Sequence, residues 1–431
     1  MSLIKEILSE ENLNEAIKRV KANKGASGVD KMSTSELDDY FSQHRDEIIN
    51  QIMNKSYKPQ PVRRVYIPKS NGKLRPLGIP VVIDRVIQQA ISIKLTEVYE
   101  PIFSNLSCGF RPGRDCHLAI SKVLGILNNG FEWVIDLDIE KYFDTVNHDK
   151  LISILREEMN DSTTLHLIRS FLKAGVMEEG LVTSTTIGVP QGGPLSPILS
   201  NIYLDKLDKE LEARGLSFVR YADDCNIFVK SEKAAERVMK SVTSWLERKL
   251  FLKVSATKTK IVRPSNSNFL DFTFWKSNDG WKPKPSDDRK AKLYEKLKKV
   301  LVRKYASSKP LKDTFTKINQ MLIGWINYFR IGNMKKFMDF MGQWLRHKVR
   351  VIIIKQWKKP LRIFKNLKSL NTKFKCGFTD EHIFKVANSR LGWYRRCGLD
   401  VVNFLLSPKV LAIRKGDRPG LVNPLEYYLS K

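Results

Sequence analysis

The chain of 431 residues contains no run approaching about 18 consecutive apolar residues, so no segment reads as a transmembrane helix. Its opening, Met1-Ser2-Leu3-Ile4-Lys5-Glu6, lacks the basic-then-apolar order of a secretory leader. Cysteine is scarce, with five residues (Cys108, Cys116, Cys225, Cys376, Cys397) and no pair in Cys-x-x-Cys spacing. That argues against a disulfide framework or a structural zinc site and for a reducing cytoplasm. Neither internal repeats nor low-complexity linkers occur. With 42% apolar and 28% charged residues the composition is that of a folded protein of two to four domains, not a disordered one.

Acid is scarcest in the last third. The whole chain carries 75 Lys and Arg against 46 Asp and Glu, a net charge of +29. Up to residue 280 the count is 39 basic and 36 acidic; beyond it there are 36 basic and 10 acidic residues, net +26. Residues 341–379 hold eleven Lys or Arg and no acid. Solubility does not require such segregation. A field of this kind draws a polyanion, whether RNA, DNA or an anionic membrane surface, and no basic amphipathic anchor stands apart to favour the membrane.

Along the chain, Ile4, Ile7 and Leu8, then Leu13, Ile17 and Val20, recur at helical spacing, and Lys24 to Gly28 breaks the pattern. Val62 to Pro68 reads as a strand, Ser70-Asn71-Gly72-Lys73 as a hairpin turn, and Leu74 onward as the return strand, together a basic hairpin suited to phosphate. Taken alone it is a plain surface hairpin. A Gly- and Pro-rich loop, Gly188 to Pro197, precedes a helical stretch from Leu199 to Leu211. Lys290 to Lys304 reads as one basic helix. The Asn278-Asp279-Gly280 turn with Pro283 and Pro285 marks the best domain boundary.

Carboxylates inside apolar strands need a reason, because an unpaired buried charge is costly. Asp136 and Asp138 lie in Trp133 to Ile139, two residues apart and so on one face of a strand. Asp223 and Asp224 interrupt the apolar run Phe218 to Val229, which reads as a hairpin with its acids at the bend and with Arg220 as a pairing partner for one of them. Adjacent Asp residues plus a third from another strand suit a hard divalent cation with oxygen ligands. Two such ions about 3.5–4 Å apart can activate a 3′-hydroxyl and stabilise a leaving oxygen. Asp-Asp alone is an ordinary turn; the flanking strands give it weight.

With Tyr221-Ala222-Asp223-Asp224 between hydrophobic strands, and Asp138 on its own strand followed by Phe143 and Asp144, the chain resembles the reverse transcriptases, specifically the proteins encoded by bacterial group II introns. Further markers, in order, are Arg63 to Pro80, Gly109-Phe110-Arg111-Pro112-Gly113-Arg114, Pro190-Gln191-Gly192-Gly193-Pro194-Leu195-Ser196-Pro197 and Gly324-Trp325-Ile326-Asn327-Tyr328-Phe329. The resemblance covers essentially the whole chain. It implies an α/β (α+β) right-hand polymerase: an N-terminal extension with fingers and palm over 1–285, a helical thumb (maturase domain X) over 286–362 and a small basic DNA-binding domain over 363–431.

The resemblance also implies roles. Asp138, Asp223 and Asp224 are the expected catalytic carboxylates. With Ile139 they form the metal set for two Mg²⁺ ions, or Mn²⁺, and Asp136 is supportive. Phe143 is the expected steric gate against a ribose 2′-hydroxyl. Lys69 and Arg75 are expected to hold the triphosphate, and Gln191 and Gly192 to pack on the nascent pair. Lys258 is expected near the leaving pyrophosphate, although it reads equally as a surface lysine. Arg63 and Arg64 touch template backbone or are merely solvated. Arg111 and Arg114 are further expected nucleic-acid contacts, and Asn23, Lys24 and Gly25 belong to a loop over the template. Trp325 and Tyr328 line the product minor groove or, as helical aromatics more often do, the core. Arg395 and Arg396 beside Trp393 combine phosphate contact and stacking, or snorkel. Asp271 stands where the family usually has Gly.

The expected partners are group II intron RNA as template, a DNA or RNA primer, target DNA and deoxynucleoside triphosphates. No membrane is expected, a homodimer is allowed, and the location is a bacterial cytoplasm. The His and paired-Cys endonuclease of larger members is not expected here. The expected function is RNA-directed DNA synthesis for a mobile intron, with maturase activity. The alternatives are a related enzyme serving host DNA repair or defence, and an RNA-binding splicing factor without catalysis.

Overall fold

The computed structural model describes residues 2–68, 72 and 74–431. Ten strands follow in order: β1 (Val62–Pro68), β2 (Leu74–Ile79), β3 (Trp133–Leu137), β4 (Val176–Glu178), β5 (Leu181–Thr183), β6 (Ser217–Tyr221), β7 (Asp224–Val229), β8 (Lys260–Val262), β9 (Phe272–Ser277) and β10 (Gly280–Pro285). Helices fill most of the remainder. None of those described is long and apolar enough to cross a membrane.

The chain divides into two compact units, Met1–Phe269 and Leu270–Lys431. The division does not fall at the Asn278-Asp279-Gly280 turn, because that turn is the tip of the β9–β10 hairpin inside the second unit.

In the first unit, one sheet has the order β6-β7-β3-β8 and is antiparallel throughout. β3 is central, and its Val134, Ile135 and Leu137 are buried. This is why the sequence there is nearly continuously apolar rather than alternating. A second sheet, β2-β1-β4-β5, is built on the antiparallel β1–β2 hairpin, with β4 added parallel to β1. The proposed turn between β1 and β2 lies, apart from Gly72, outside the described residues.

Two helices are buried on most of their faces, Val82–Tyr99 and Ser196–Ala213. The latter starts abruptly because Pro197 sits in its first turn, where a missing N–H costs nothing. Its Ile198, Leu199, Ile202, Leu204 and Leu207 join the core with Ile135 and Leu137 of β3. Burial of each such side chain stabilises by about 1.5–3 kcal/mol. The N-terminal helical stretch is two helices, Leu3–Ile7 and Glu10–Ala22, split at Ser9, whose side chain caps the second by accepting from Asn12 N.

The second unit opens with β9–β10 and continues as helices Asp287–Val300, Leu311–Phe329, Lys335–Trp357 and Pro360–Phe374, with shorter ones after them. The basic stretch Lys290 to Lys304 is not one helix. It stops at Val300, where Leu301 turns inward and Val302 becomes extended, and resumes as Arg303–Ala306.

Candidate active site

β6 and β7 are joined by a two-residue turn, Ala222-Asp223, since Tyr221 pairs with Asp224. Tight hairpins need a positive φ at a central residue. Here Ala222 supplies it, at +56°. The turn therefore projects Asp223, half-buried, and Asp224, exposed, at the end of the sheet. Arg220 does not pair with either acid. Its guanidinium turns into the protein and is bidentate to Asp208, with Nε to Oδ1 at 2.7 Å and Nη2 to Oδ2 at 2.5 Å. Both residues are 0% exposed. Side chains two apart on a strand share a face, but that of Arg220 is the buried one.

Asp138 leaves the end of β3 and is fixed by its main chain. Its N–H donates to Thr259 Oγ1 at 3.1 Å, and its carbonyl accepts from Ser255 N at 2.9 Å. The segment between those partners presents Lys258, whose Nζ donates to both carboxylate oxygens of Asp138 at 3.0 Å. Lys258 is thus an ion-pair partner of Asp138 as well as a surface residue, its side chain being 69% exposed. Ile139 buries its side chain in the core, leaving its carbonyl as its sole ligand group.

Burial raises the pKa of Asp223, and the negative charge of Asp138 adds to the shift; Arg75 and Lys258 pull it back. Asp138 and Asp223, 85 positions apart in sequence (223 less 138), therefore share one electrostatic environment. Asp136 is engaged in the sheet instead. It accepts from Ser267 Oγ at 2.7 Å, stands across from Lys260 of β8, and is raised in pKa by its burial. Asn226 Nδ2 donates to the same Ser267 hydroxyl.

The candidate donors are all carboxylate or carbonyl oxygens, the ligand chemistry of a hard divalent cation. Lys258 is the cation that the structure sets against Asp138. Among the described residues no three His, Cys, Asp or Glu side chains close on one point.

Phe143 lies in the short helix Tyr142–Thr145 and meets Tyr142 edge-on at 5.2 Å. Its carbonyl accepts from Val189 N at 2.6 Å, and Val146 O accepts from Gly188 N at 2.8 Å, so the Phe143 segment and the Gly188–Gln191 loop are stitched together. His148, which sequence reasoning passed over, faces Gly188 O through Nε2 at 2.7 Å. Gln191 O in turn accepts from Gly78 N of β2 at 2.7 Å. Gly192, at φ +124°, passes so near that a Cβ would lie 2.5 Å from Gly78 O, so that position requires glycine. Arg64, Tyr66, Gly78, Phe143, Asp144 and Gln191 line one cleft of about 390 Å³. Arg75 is exposed on β2. Lys69 lies outside the described residues.

Several expected nucleic-acid contacts are engaged elsewhere. Arg111 is buried and forms an ion pair with Glu100 at 2.7 Å, with further bonds to Ser104 O and Ser107 O. Arg114 donates to Asn105 O and Ser107 O. These two arginines hold their own loop through these bonds. Arg63 Nε and Nη2 both donate to Ser27 O, at 3.1 and 2.7 Å, and clamp the segment that carries Asn23, Lys24 and Gly25. Arg85 grips the same segment through Ala26 O. Asn23 and Lys24 are exposed and Gly25 half-buried.

In the second unit Trp325 packs on Phe329 (4.5 Å) and Phe337 (5.6 Å). Tyr328 stacks on Phe272 and donates to Leu270 O at 3.0 Å. Both rings are half-buried core, and each also lines a pocket of about 330 Å³ with Arg289, Lys292 and Lys296. Leu270 and Asp271 both have positive φ, +51° and +67°. Asp tolerates that region, and its carboxylate pairs with Arg289 at 2.7 Å. Arg395 is exposed, while Arg396 lies over the Trp393 ring at 5.1 Å and donates to Ser389 O.

Sequence reasoning missed Asp208 and Asn201. The signal was a buried helix face bearing two polar residues. It also missed why residue 109 is Gly. A Cβ there would lie 2.2 Å from Ala222 N, because this segment runs against the acidic turn.

Two family models match the chain: "Reverse transcriptase (RNA-dependent DNA polymerase)" over residues 67–274, and "Group II intron, maturase-specific domain" over residues 290–370. Protein YkfC of Escherichia coli (strain K12) is 36% identical over 299 residues, covering 60% of this chain and 78% of that protein. The group II intron-encoded protein LtrA of Lactococcus lactis subsp. cremoris is 43% identical over 196 residues, covering 45% of this chain and 32% of LtrA. The putative COX1/OXI3 intron 2 protein of Saccharomyces cerevisiae is 32% identical over 250 residues, covering 58% of this chain and 28% of that protein. The matched part thus spans about a third or less of the two intron proteins.

Proposed function

Since the chain belongs to the group II intron-encoded reverse transcriptases, with an RNA-directed DNA polymerase domain and a maturase-specific domain, we propose that it copies group II intron RNA into cDNA at the site formed by Asp138, Asp223 and Asp224. The observation that carries this reading is the strand register: Leu137 of β3 pairs with Cys225 of β7, which sets Asp138 beside the Asp223-Asp224 end of the β6–β7 hairpin. Asp138, Asp223, Asp224 and the carbonyl of Ile139 would hold two Mg²⁺ ions, with Mn²⁺ as an alternative occupant. Bound there, divalent cations supply Lewis-acid activation of the primer 3′-hydroxyl and charge neutralisation at the departing pyrophosphate.

The rest is work for the chain. Burial and the charge of Asp138 raise the pKa of Asp223, so a cation that binds there relieves an unfavourable pairing of negative charges. Lys258 neutralises Asp138 and, exposed on a flexible stem, is free to turn toward a triphosphate. Arg75 of β2 would meet the triphosphate, together with Lys69, which lies outside the described residues. Phe143 closes the sugar side of the cleft it shares with Gln191 and Arg64, so that a 2′-hydroxyl would meet the ring. The substrates are a DNA or RNA primer, target DNA and deoxynucleoside triphosphates. The basic second unit, net +26 beyond residue 280, supports binding of the intron RNA for splicing and of DNA. The sparse cysteines, none in Cys-x-x-Cys spacing, fit a reducing bacterial cytoplasm.

The test is primer extension on an RNA template with Mg²⁺ and the four deoxynucleotides, wild type against Asp223→Asn. Extension that the substitution abolishes, with duplex binding retained, is expected. Wild type that binds the duplex without extending it, or Asp223→Asn that extends normally, would overturn the reading.

A further inference from the structure

A buried guanidinium must be matched by acceptors at every arm, and the acceptors chosen show what it holds. Asp208 takes the Nε and Nη2 arms of Arg220 and pairs with its charge. The third arm, Nη1, goes to two other places: Asn201 Oδ1 at 3.1 Å and the carbonyl of Ala222 at 2.8 Å. Ala222 is the residue held at φ +56°, immediately before Asp223. A residue with a Cβ leaves that region unless something retains it.

The main chain of Arg220 is tied as well. Its N–H donates to Leu106 O at 3.0 Å, and its carbonyl accepts from Cys108 N at 2.8 Å. Asn201 closes the circuit by donating through Nδ2 to Gly109 O at 2.8 Å, beside the point where Gly109 abuts the turn. Asn201 and Asp208 both belong to the helix Ser196–Ala213, which continues directly from the Gln191-Gly192-Gly193 loop.

We propose that Arg220, oriented by Asp208 and Asn201, is a positioning residue that keeps the Asp223 turn in register with the loop bearing Gln191. It touches neither substrate nor cation. It sets where the Asp223 carboxylate stands relative to Asp138 and to the incoming nucleotide. This rests on the assignment of Asp223 to the cation site.

The test uses the full chain with Arg220→Lys and Asn201→Ala, and Leu204→Ala as a control. Leu204 is a fully buried residue of the same helix with no polar role, so its truncation destabilises without touching the network. Three quantities are read: Mn²⁺ affinity of the nucleic-acid-free protein by electron paramagnetic resonance, kcat and nucleotide KM for single-nucleotide addition, and the melting temperature. Arg220→Lys and Asn201→Ala are expected to weaken Mn²⁺ binding about tenfold, the usual scale for groups that orient ligands. They should lower kcat by about 10²-fold, as a misplacement of roughly 1 Å does, with nucleotide KM unchanged. Leu204→Ala should lower the melting temperature and leave Mn²⁺ affinity as in wild type.

If all three variants melt early while Mn²⁺ affinity and kcat per folded molecule stay at wild-type values, the role is structural and the proposal is overturned. Should Arg220→Lys fail to fold, Asn201→Ala, which leaves the Arg220–Asp208 pair intact, decides the matter. Asp223→Asn is run alongside. If it loses Mn²⁺ binding and extension while Asn201→Ala behaves as wild type, the positioning role alone fails. If it keeps both, the assignment of Asp223 fails and the proposal falls with it.

Discussion

Replacing Gly109 by Ala adds one methyl group and should disable the enzyme. Gly109 has no positive φ, so its backbone would accept Ala. The obstacle is space. The added carbon would lie 2.2 Å from Ala222 N, 2.9 Å from Tyr221 C and 3.1 Å from Ala222 Cα. All three are main-chain atoms and cannot swing aside. Carbon contacts relax at about 3.5 Å or more, so the segment or the turn must move by roughly 1 Å. Overpacking of this kind costs about 1–3 kcal/mol of stability. A displacement of about 1 Å at the reacting groups costs about 10²-fold in rate, or close to 2.7 kcal/mol of barrier. Thermal melting and single-nucleotide addition, measured on the same preparation, check both. Wild-type kcat with an unchanged melting temperature would refute the argument that this contact fixes the turn. A lowered melting temperature with wild-type kcat would show that the segment yields rather than the turn.

Phe143→Ala should lower discrimination against ribonucleotides by about 10²-fold while deoxynucleotide addition falls far less; competition between the two nucleotide types measures this, and an unchanged ratio removes the gate. Asp84 is pushed up to about 7 by burial, despite bonds from Tyr57 OH and Gln60 N. The folded state therefore keeps a proton that the unfolded carboxyl releases near its ordinary 3.8, so the Asp84 contribution to stability is fully present below that value and is lost as pH climbs to about 7, by up to roughly 4 kcal/mol. Urea unfolding across this range should show that slope in wild type and lose it in Asp84→Asn; parallel curves would remove the assignment. Arg395→Ala should reduce the log–log salt slope of nucleic-acid binding by about 0.7–0.9 if it contacts a phosphate. Arg111→Ala should leave that slope alone and cost about 1–3 kcal/mol of stability, because it leaves the carbonyls of Ser104 and Ser107 without their donor while Glu100 keeps Arg114; the opposite pattern would reverse the roles given to these arginines.

The β6–β7 hairpin was legible because apolar halves flank two acids and the strand pattern leaves only a tight turn between them. β3 was legible for the same reason, since a central strand buried on both faces reads as an apolar run. What stayed hidden is partner choice over distance. Arg220 reads as a neighbour of Asp223 and Asp224, yet its partner Asp208 lies on a helix twelve positions earlier, and sequence proximity carries no information about which face of a strand is buried. Arg111 and Arg114 sit in a segment rich in Gly, Pro and Arg that reads as an exposed basic loop. The carbonyls they satisfy become visible only once the loop is folded, as does Ser27 O beneath Arg63. Leu301 ends the basic helix because its burial outweighs the helix propensity of its lysine-rich surroundings, a tertiary effect that local composition does not encode.

The central place of β3 also governs the order in which this protein can be made. β3 has partners on both sides, and both arrive late: Asp136 pairs with Asn226 of β7 and with Lys260 of β8. At about 5–20 residues per second, a ribosome needs roughly 6–25 s to add the 120-odd residues between β3 and β8. Until β7 emerges both edges of this apolar strand are unpaired, and until β8 follows one edge stays open to other nascent chains. Asp138 meets the Asp223-Asp224 turn only after β7 has been made, because Leu137 pairs with Cys225. Slow expression at low temperature, or a chaperone that shields the Trp133–Leu137 segment, should therefore raise the yield of active enzyme more than the yield of total protein.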